Sequence, residues 1–203
     1  MLTLDHLVIS ATQLGPGATE VEARLGLSLS PGGVHAAMGT HNRLLSLGAS
    51  DYLEVIAIDP AAPAPQQARW YDLDRFSGPP RLTHWAARTD DLDAALAAAP
   101  AGCGTPWSLS RGDLAWRMAV PADGTLPFAG LFPALLEWQS DHPAPRLHDA
   151  GVRLSKLTLT SPEAATLRAA LGPLADDPRL EMLTGSTPSI SAVLDTPGGP
   201  VKL

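Results

Sequence analysis

Short runs in which apolar and polar residues alternate recur along this chain, and this period of two predicts β-strands. The first run covers residues 2–10 and carries an ionisable residue, His6, in its middle. Two later runs have the same form and are centred on His84 and Lys156. The centres are 78 and 72 residues apart, which predicts a supersecondary module that the chain uses three times.

The first module has the predicted order strand, helix, strand, strand, strand. Its elements are expected at residues 2–10, 16–25, 34–38, 42–47 and 52–58. Gly26 is placed to end the helix, and the pair Gly32-Gly33 is expected to break the chain before the second strand.

The same order repeats further along the chain. The second module has predicted elements at residues 82–88, 91–99, 107–110, 114–120 and 134–139, and the third has shorter ones between residues 151 and 203. A linker rich in Pro and Ala, residues 59–80, is expected to join the modules without adding a domain. The pattern therefore predicts an α+β chain with modules at residues 1–60, 81–140 and 150–203, the third of them partial and degenerate.

The composition fits a folded chain and argues against several classes of partner. The 203 residues are 45% hydrophobic with a mean hydropathy of +0.05, which argues against disorder and predicts a sizeable core. A net charge of -7 argues against nucleic acid and anionic membranes as partners. The single cysteine, Cys103, excludes an internal disulfide framework. Because the sequence shows neither a signal peptide nor a run of ~20 apolar residues, we expect a soluble, cytoplasmic protein.

Each of the first two modules places a histidine on its first strand and a glutamate on its last strand. The pairs are His6 with Glu54 and His84 with Glu137. Strand alternation puts each side chain on a face that its neighbours would bury, and a buried carboxylate needs a partner. A single strand histidine is usually an ordinary core or surface residue, and a single glutamate usually lies at a solvated edge. The repetition favours one divalent ion held by all four: zinc, nickel, cobalt, manganese or ferrous iron.

These pairs, together with several short segments, resemble a known superfamily. The segments are Gly33-Val34-His35, Gly39-Thr40-His41-Asn42, Tyr52-Leu53-Glu54, Thr83-His84-Trp85 and His142-Pro143. They resemble the vicinal oxygen chelate superfamily of glyoxalase I, extradiol dioxygenases and bleomycin-resistance proteins, and within it the glyoxalase-like domain subgroup. The resemblance covers about residues 1–140, with residues 150–203 as an extra, partial module.

The resemblance implies an open, cup-shaped barrel built from paired βαβββ modules. In such a cup the first and fourth strands of each module lie side by side, and His6, Glu54, His84 and Glu137 fall on the ligand positions of one metal. The metal chelates vicinal oxygens and polarises a carbonyl while a base moves a proton. Glu137 is the first candidate for that base and Glu54 the second. In the third module, Lys156 and Lys202 fall on the corresponding positions, so that module is expected to bind no metal.

Weaker candidates for contact with a substrate surround the proposed cup. They are His35, His41, Asn42, Arg43, Trp116 and Arg117. Trp116 and Arg117, with a loop carrying Phe128 and Phe132, form a candidate lid, although aromatic residues at such positions usually belong to a core. His142 and His148 lie in a Pro-rich connector, where solvent exposure is expected.

The resulting prediction is a divalent-metal-dependent enzyme that acts on a small molecule with vicinal oxygens. Its predicted protein partner is a second copy of the same chain, in a homodimer. Lyase or isomerase chemistry is favoured over a ferrous dioxygenase, because such dioxygenases use two histidines and one carboxylate and a fourth ligand is available here. A second hypothesis is a metal-free protein that binds or sequesters a drug-like molecule, for which the acidic total would suit a cationic ligand. A third is a purely structural module with a filled cup.

Overall fold

A computed structural model describes the whole chain, Met1–Leu203, as twelve β-strands and three α-helices. The strands are β1 (Thr3–Ser10), β2 (Ser30–His35), β3 (Thr40–Ser46), β4 (Tyr52–Ile58), β5 (Arg81–Arg88), β6 (Thr105–Arg111), β7 (Leu114–Val120), β8 (Ala134–Trp138), β9 (Arg153–Ser161), β10 (Leu180–Thr184), β11 (Ser189–Thr196) and β12 (Gly199–Lys202). The helices are α1 (Leu14–Leu25), α2 (Leu92–Ala98) and α3 (Ala164–Leu171), and 3-10 turns lie at Trp70–Arg75, Ala144–Arg146 and Gly172–Asp176.

The first two modules form one curled, eight-stranded sheet with the order β2-β3-β4-β1-β5-β8-β7-β6. In each half the first strand pairs with the last in parallel, β1 with β4 and β5 with β8. The halves meet where β1 and β5 pair antiparallel, so that His6 lies opposite Ala86 and Val8 opposite His84. This reciprocal pairing relates the halves by an approximate two-fold axis. The mixed α+β class and the cup of paired modules are confirmed.

The helices cover one face of this sheet and leave the other face to form the cup. Helix α1 buries Ala18, Val21 and Leu25 against the sheet, and Gly26 ends it in the left-handed conformation that a helix C-terminus favours. Leu53 and Trp85 belong to the same large core on the helix face. A second core on the opposite face lines the cup, so adjacent residues of one strand point to different environments.

The second strand, Ser30–His35, begins four residues before the predicted segment 34–38 and ends three residues before its end. Its two glycines stay inside β2, because they give the space that Asn42 of β3 and a side chain from β6 need. At Gly32 a β carbon would come within 2.1 Å of the Asn42 Oδ1 atom. The glycine pair therefore marks a close approach at a strand irregularity and does not break the chain.

The third module has the predicted element order but different strand pairing. Its four-stranded sheet runs β10-β9-β11-β12, so the strand after the helix, β10, pairs in parallel with β9. Lys202 on β12 therefore does not lie beside Lys156 on β9, and the proposed equivalence with the first two modules was wrong. Arg179 joins this sheet to the first through an ion pair with the buried Asp51. None of the helices has the length and apolar character that a membrane crossing requires.

Candidate active site

The concave face of the eight-stranded sheet closes around a small cavity of about 40 Å³. Both halves of the sheet and the linker between them contribute to its wall. The polar lining residues are His6, His35, Asn42, Tyr52, Glu54, Tyr71 and Arg111, and the aromatic ones include Trp70, Trp116 and Trp138. The cup therefore combines a few convergent polar groups with an apolar surround, as small-molecule sites do.

Two consecutive residues of β1, Asp5 and His6, both take part in this site. The Asp5 Oδ1 atom lies 2.7 Å from the His6 Nδ1 atom. Neighbours on a regular strand point to opposite faces, but β1 has a bulge between Leu4 and His6 where it pairs with β5. The bulge brings the carboxylate alongside the imidazole, and His6 directs its Nε2 atom into the cup.

Asp5 is completely buried and has several donors around its carboxylate. Its Oδ2 atom accepts hydrogen bonds from Trp138 Nε1 and from His142 Nε2, each at 3.0 Å. Burial alone would raise the pKa of Asp5, but the hydrogen bonds from His142 and His6 outweigh it and hold that pKa below its ordinary range. Asp5 is therefore an ionised carboxylate that keeps a proton on His6 Nδ1 and leaves Nε2 as an acceptor.

Glu54 on β4 meets His6 at the base of the cup. Its Oε2 atom lies 3.6 Å from His6 Nε2, and its Oε1 atom accepts a hydrogen bond of 2.6 Å from Asn42 Nδ2. Both Glu54 and Asn42 are buried. The parallel pairing of Val8 with Glu54 places this carboxylate on the same face as His6. Two of the four predicted ligands are thus side by side.

A cationic group, Arg111 at the end of β6, lies at the rim of the cup. Its NH1 group donates to His35 Nε2 at 3.2 Å and to Asn42 Oδ1 at 3.1 Å. Burial and the neighbouring Arg111 charge lower the pKa of His35 to about 3, so this imidazole is neutral. His35 Nδ1 then donates to Thr40 Oγ1 at 3.0 Å. Of the weak candidates from the sequence, His35 and Asn42 therefore do line the cup.

The linker between the modules enters the cup, which the sequence did not predict. Trp70 and Tyr71 are both buried there. The Tyr71 hydroxyl lies 3.3 Å from His6 Nε2, and the Tyr71 ring lies 5.5 Å from the His84 ring. Burial, followed by the charges of Glu54 and Asp5, raises the pKa of Tyr71 well above its ordinary value, so it remains a hydrogen-bond donor. Tyr71 and Asp72 both have positive φ angles, 58° and 54°, which strain residues other than glycine.

His84 does not join His6 and Glu54. Its ring contacts Tyr71 and lines a different cavity of about 590 Å³, between the second module and the β10–β11 loop. Its Nδ1 atom is buried without a hydrogen-bond partner, and burial lowers its pKa to about 4. The prediction that His84 shares an ion with His6 is therefore not met in this arrangement.

Glu137 points away from the cup, and its predicted role as ligand and base needs correction. Its Oε2 atom accepts from Arg117 NH1 at 3.2 Å and from the backbone N–H of Leu92 at 3.1 Å, beside α2. Its neighbours on β8, Leu136 and Trp138, occupy the cup face instead.

Strand register explains the error. The two-fold relation of His6 to His84 makes Val8 equivalent to Ala86. Val8 pairs with Glu54, whereas Ala86 pairs with Ala134. Ala134 therefore occupies the position of Glu54, and Glu137 lies three residues further on, which places it on the opposite face.

The remaining candidates separate in the same way by strand face. Trp116 lines the cup, whereas His41, Arg43 and Arg117 alternate with cup residues and lie outside it. The proposed lid is also wrong, because Phe132 is fully buried in the helix-side core. His142, expected to be solvent-exposed, donates to Asp5.

The described side chains include no group of three or more His, Cys, Asp or Glu residues arranged to hold a metal ion. The four predicted ligands do not fit one ion, because Glu137 faces outward and Tyr71 contacts both histidines. His6 Nε2 and Glu54 Oε2 alone do fit, since two atoms that share an ion at about 2.0–2.2 Å lie roughly 3–4 Å apart.

Comparison with solved structures finds the same fold at low sequence identity. A hypothetical protein from Staphylococcus aureus is 12% identical, with 93% of this chain and 88% of that chain covered and a TM-score of 0.62. A methylmalonyl-CoA epimerase variant from Streptomyces coelicolor is 17% identical over 70% of this chain and 96% of that chain, with a TM-score of 0.44. The epimerase from Mycobacterium tuberculosis is 19% identical over 66% and 85%, with a TM-score of 0.43. At these identities the Staphylococcus aureus structure shows the fold alone, and the epimerase matches are too distant to carry an argument.

Comparison with curated protein sequences finds no match. The family model described as "Glyoxalase-like domain" matches residues 4–175, which include the whole cup and the start of the third module. This match confirms the resemblance to the vicinal oxygen chelate superfamily. The chain belongs to the glyoxalase-like domain family.

Proposed function

We propose that this chain is an enzyme that binds a small molecule with neighbouring oxygens in the cup and moves a proton on a carbon next to a carbonyl. The observation that carries the proposal is the convergence of His6 Nε2 and Glu54 Oε2 at 3.6 Å, with the ionised Asp5 behind His6. A carboxylate and an imidazole at one end of a mostly apolar cavity are the groups that general acid–base chemistry requires.

Glu54 is the proposed base, because its Oε2 atom faces the cavity while Oε1 is fixed by Asn42. The carboxylate takes the proton from carbon and forms an enolate. The Tyr71 hydroxyl donates to His6 Nε2, and turning that one proton towards a bound substrate would stabilise the negative oxygen. Return of that proton by the same carboxylate to the neighbouring carbon of the enolate gives an isomer, and this favours isomerase or lyase chemistry.

His6 and Glu54 are also the proposed residues for a divalent metal ion, with Asp5 orienting the imidazole behind the ligand. While an ion is held, Glu54 Oε2 would be its ligand, and this oxygen would have to leave the ion before it could act as the base. A bound ion would polarise the substrate carbonyl and stabilise charge on its oxygens. A ferrous dioxygenase has less support, because it needs a second histidine and His84 is directed into another cavity.

Hydrogen–deuterium exchange at carbon tests the proposal. Pyruvate and hydroxyacetone both carry vicinal oxygens and a C–H group beside a carbonyl, and proton NMR in D2O follows loss of that signal. The protein is expected to accelerate exchange of at least one of them. Glu54→Gln is expected to lower the rate of this catalysed exchange about 100-fold or more. Glu137→Gln is the matched control and is expected to retain it. Equal effects of the two substitutions would contradict the role of Glu54.

A binding protein without turnover is the second candidate, favoured by the aromatic lining of Trp70, Trp116 and Trp138. It predicts that these molecules quench tryptophan fluorescence but exchange no proton. Elemental analysis of protein purified without chelator tests metal content in the same preparation.

A further inference from the structure

Arg111, which lines the cup, has no acidic partner. No Asp or Glu side chain lies within ion-pair distance of its guanidinium. Its NH1 group donates to the neutral acceptors His35 Nε2 and Asn42 Oδ1. A guanidinium carries five N–H donors. In Arg111 only the NH1 group has acceptors, and the NH2 and Nε groups have none in the protein.

The chain also makes room for this side chain. Arg111 comes from β6, an edge strand of the sheet, and crosses to β2 at the other edge. A β carbon at Gly33 would come within 2.5 Å of the Arg111 Cδ atom, so the side chain crosses β2 over a residue that has no side chain. The crossing point is thus built around the arginine, and the guanidinium is held in the wall of the cavity.

The same guanidinium is linked to the proposed base. Arg111 donates to Asn42 Oδ1, and Asn42 Nδ2 donates to Glu54 Oε1. The asparagine therefore spans the space between a cation at the rim and the carboxylate at the base. An anionic group bound at Arg111 would be connected to Glu54 through the two hydrogen bonds of Asn42.

We propose that Arg111 binds a carboxylate of the substrate, so that the enzyme acts on a small carboxylic acid with an adjacent carbonyl or hydroxyl oxygen. A planar guanidinium with two adjacent free donors matches a carboxylate, and charge-assisted hydrogen bonds of this kind are the strong ones. The net charge of -7 suits a cationic ligand, but the charged side chain at the rim of the cup is the cation Arg111. The inference rests on the proposed function for the place of the reacting carbon.

Pyruvate carries a carboxylate where hydroxyacetone carries a neutral hydroxymethyl group. The difference between their affinities therefore measures what Arg111 contributes to binding a carboxylate. Tryptophan fluorescence follows binding, because Trp70, Trp116 and Trp138 line the cavity. Wild-type protein is expected to bind pyruvate at least about tenfold more tightly than hydroxyacetone, and Arg111→Gln is expected to remove that difference. Arg111→Lys keeps the charge without the fork and is expected to give an intermediate affinity.

Arg43→Gln is the matched control. Arg43 is exposed on the outer face of β3, and its substitution removes the same charge as Arg111→Gln does. It is expected to leave both affinities unchanged. The inference is overturned if pyruvate binds no better than hydroxyacetone, if Arg43→Gln weakens pyruvate as much as Arg111→Gln, or if inorganic phosphate binds more tightly than pyruvate. Binding that depends on Arg111 without proton exchange would contradict the proposed enzyme and leave the carboxylate site standing.

Discussion

Asp5 Oδ1 and His6 Nδ1 lie 2.7 Å apart although the two residues are consecutive on one strand. A bulge in β1 is what lets a carboxylate support its neighbour from behind. The arrangement gives His6 a fixed tautomer and a directed Nε2 atom. It also buries a full negative charge among the donors His142, Trp138 and Arg88.

Asp5→Asn is expected to lower the exchange activity about 10–100-fold. An amide carries no negative charge beside His6, and it does not hold a proton on the His6 Nδ1 atom as the carboxylate does. The substitution is also expected to destabilise the protein in a pH-dependent way. The lowered pKa of Asp5 contributes stability above the unfolded pKa of about 3.9, and that contribution is lost as pH falls below it. Urea unfolding should therefore show a larger difference from wild type at pH 7 than at pH 3. The exposed Asp141→Asn is the control, and an equal difference at both pH values would contradict the assignment.

His84→Gln is expected to flatten the loss of stability between pH 6.5 and pH 4. The pKa of His84 is about 4 in the folded protein and about 6.5 in the unfolded chain. Between these two pH values the imidazole is protonated in the unfolded chain and neutral in the folded one, so the folded state loses stability as pH falls. Across that interval this single residue lowers the free energy of unfolding by on the order of 3 kcal/mol. Thermal melting at half-unit pH steps measures the slope. His148→Gln, at an exposed position, should leave the slope unchanged.

Tyr71→Ala is expected to tighten binding of Ni²⁺ or Zn²⁺ by about tenfold or more, because it removes the side chain that contacts both His6 and His84. Calorimetric titration measures the affinity. Tyr71→Phe keeps the ring and should bind like wild type, and Tyr71→Ala combined with His84→Ala should lose the gain. The alanine variant is expected to be less stable by about 3–5 kcal/mol. Unchanged metal affinity in a folded Tyr71→Ala protein would show that His84 cannot reach the cup.

Much of the fold could be predicted from alternation alone, because most strands have one buried face and ends marked by turn residues. The same alternation placed His6 and Glu54 on one face, and both side chains line the cup. It failed for Glu137, since the order of elements does not fix register, and a shift of three residues reverses the face. The bulge at Asp5 leaves no mark in the sequence. Tyr71 was missed because a linker rich in Pro and Ala gives no periodic signal, and only the third dimension shows that the linker turns inward.

The segment that connects the two halves of the barrel passes through the space that the halves enclose. Its ends are fixed by β4 and β5, and between them Trp70 and Tyr71 line the cup, with left-handed backbone at Tyr71 and Asp72. An insertion or deletion between Ile58 and Arg81 would therefore change what the cup can admit, without altering any residue of the sheet. Linker length is thus a route by which this architecture can change the molecules that its cup admits while the sheet that forms the wall stays the same.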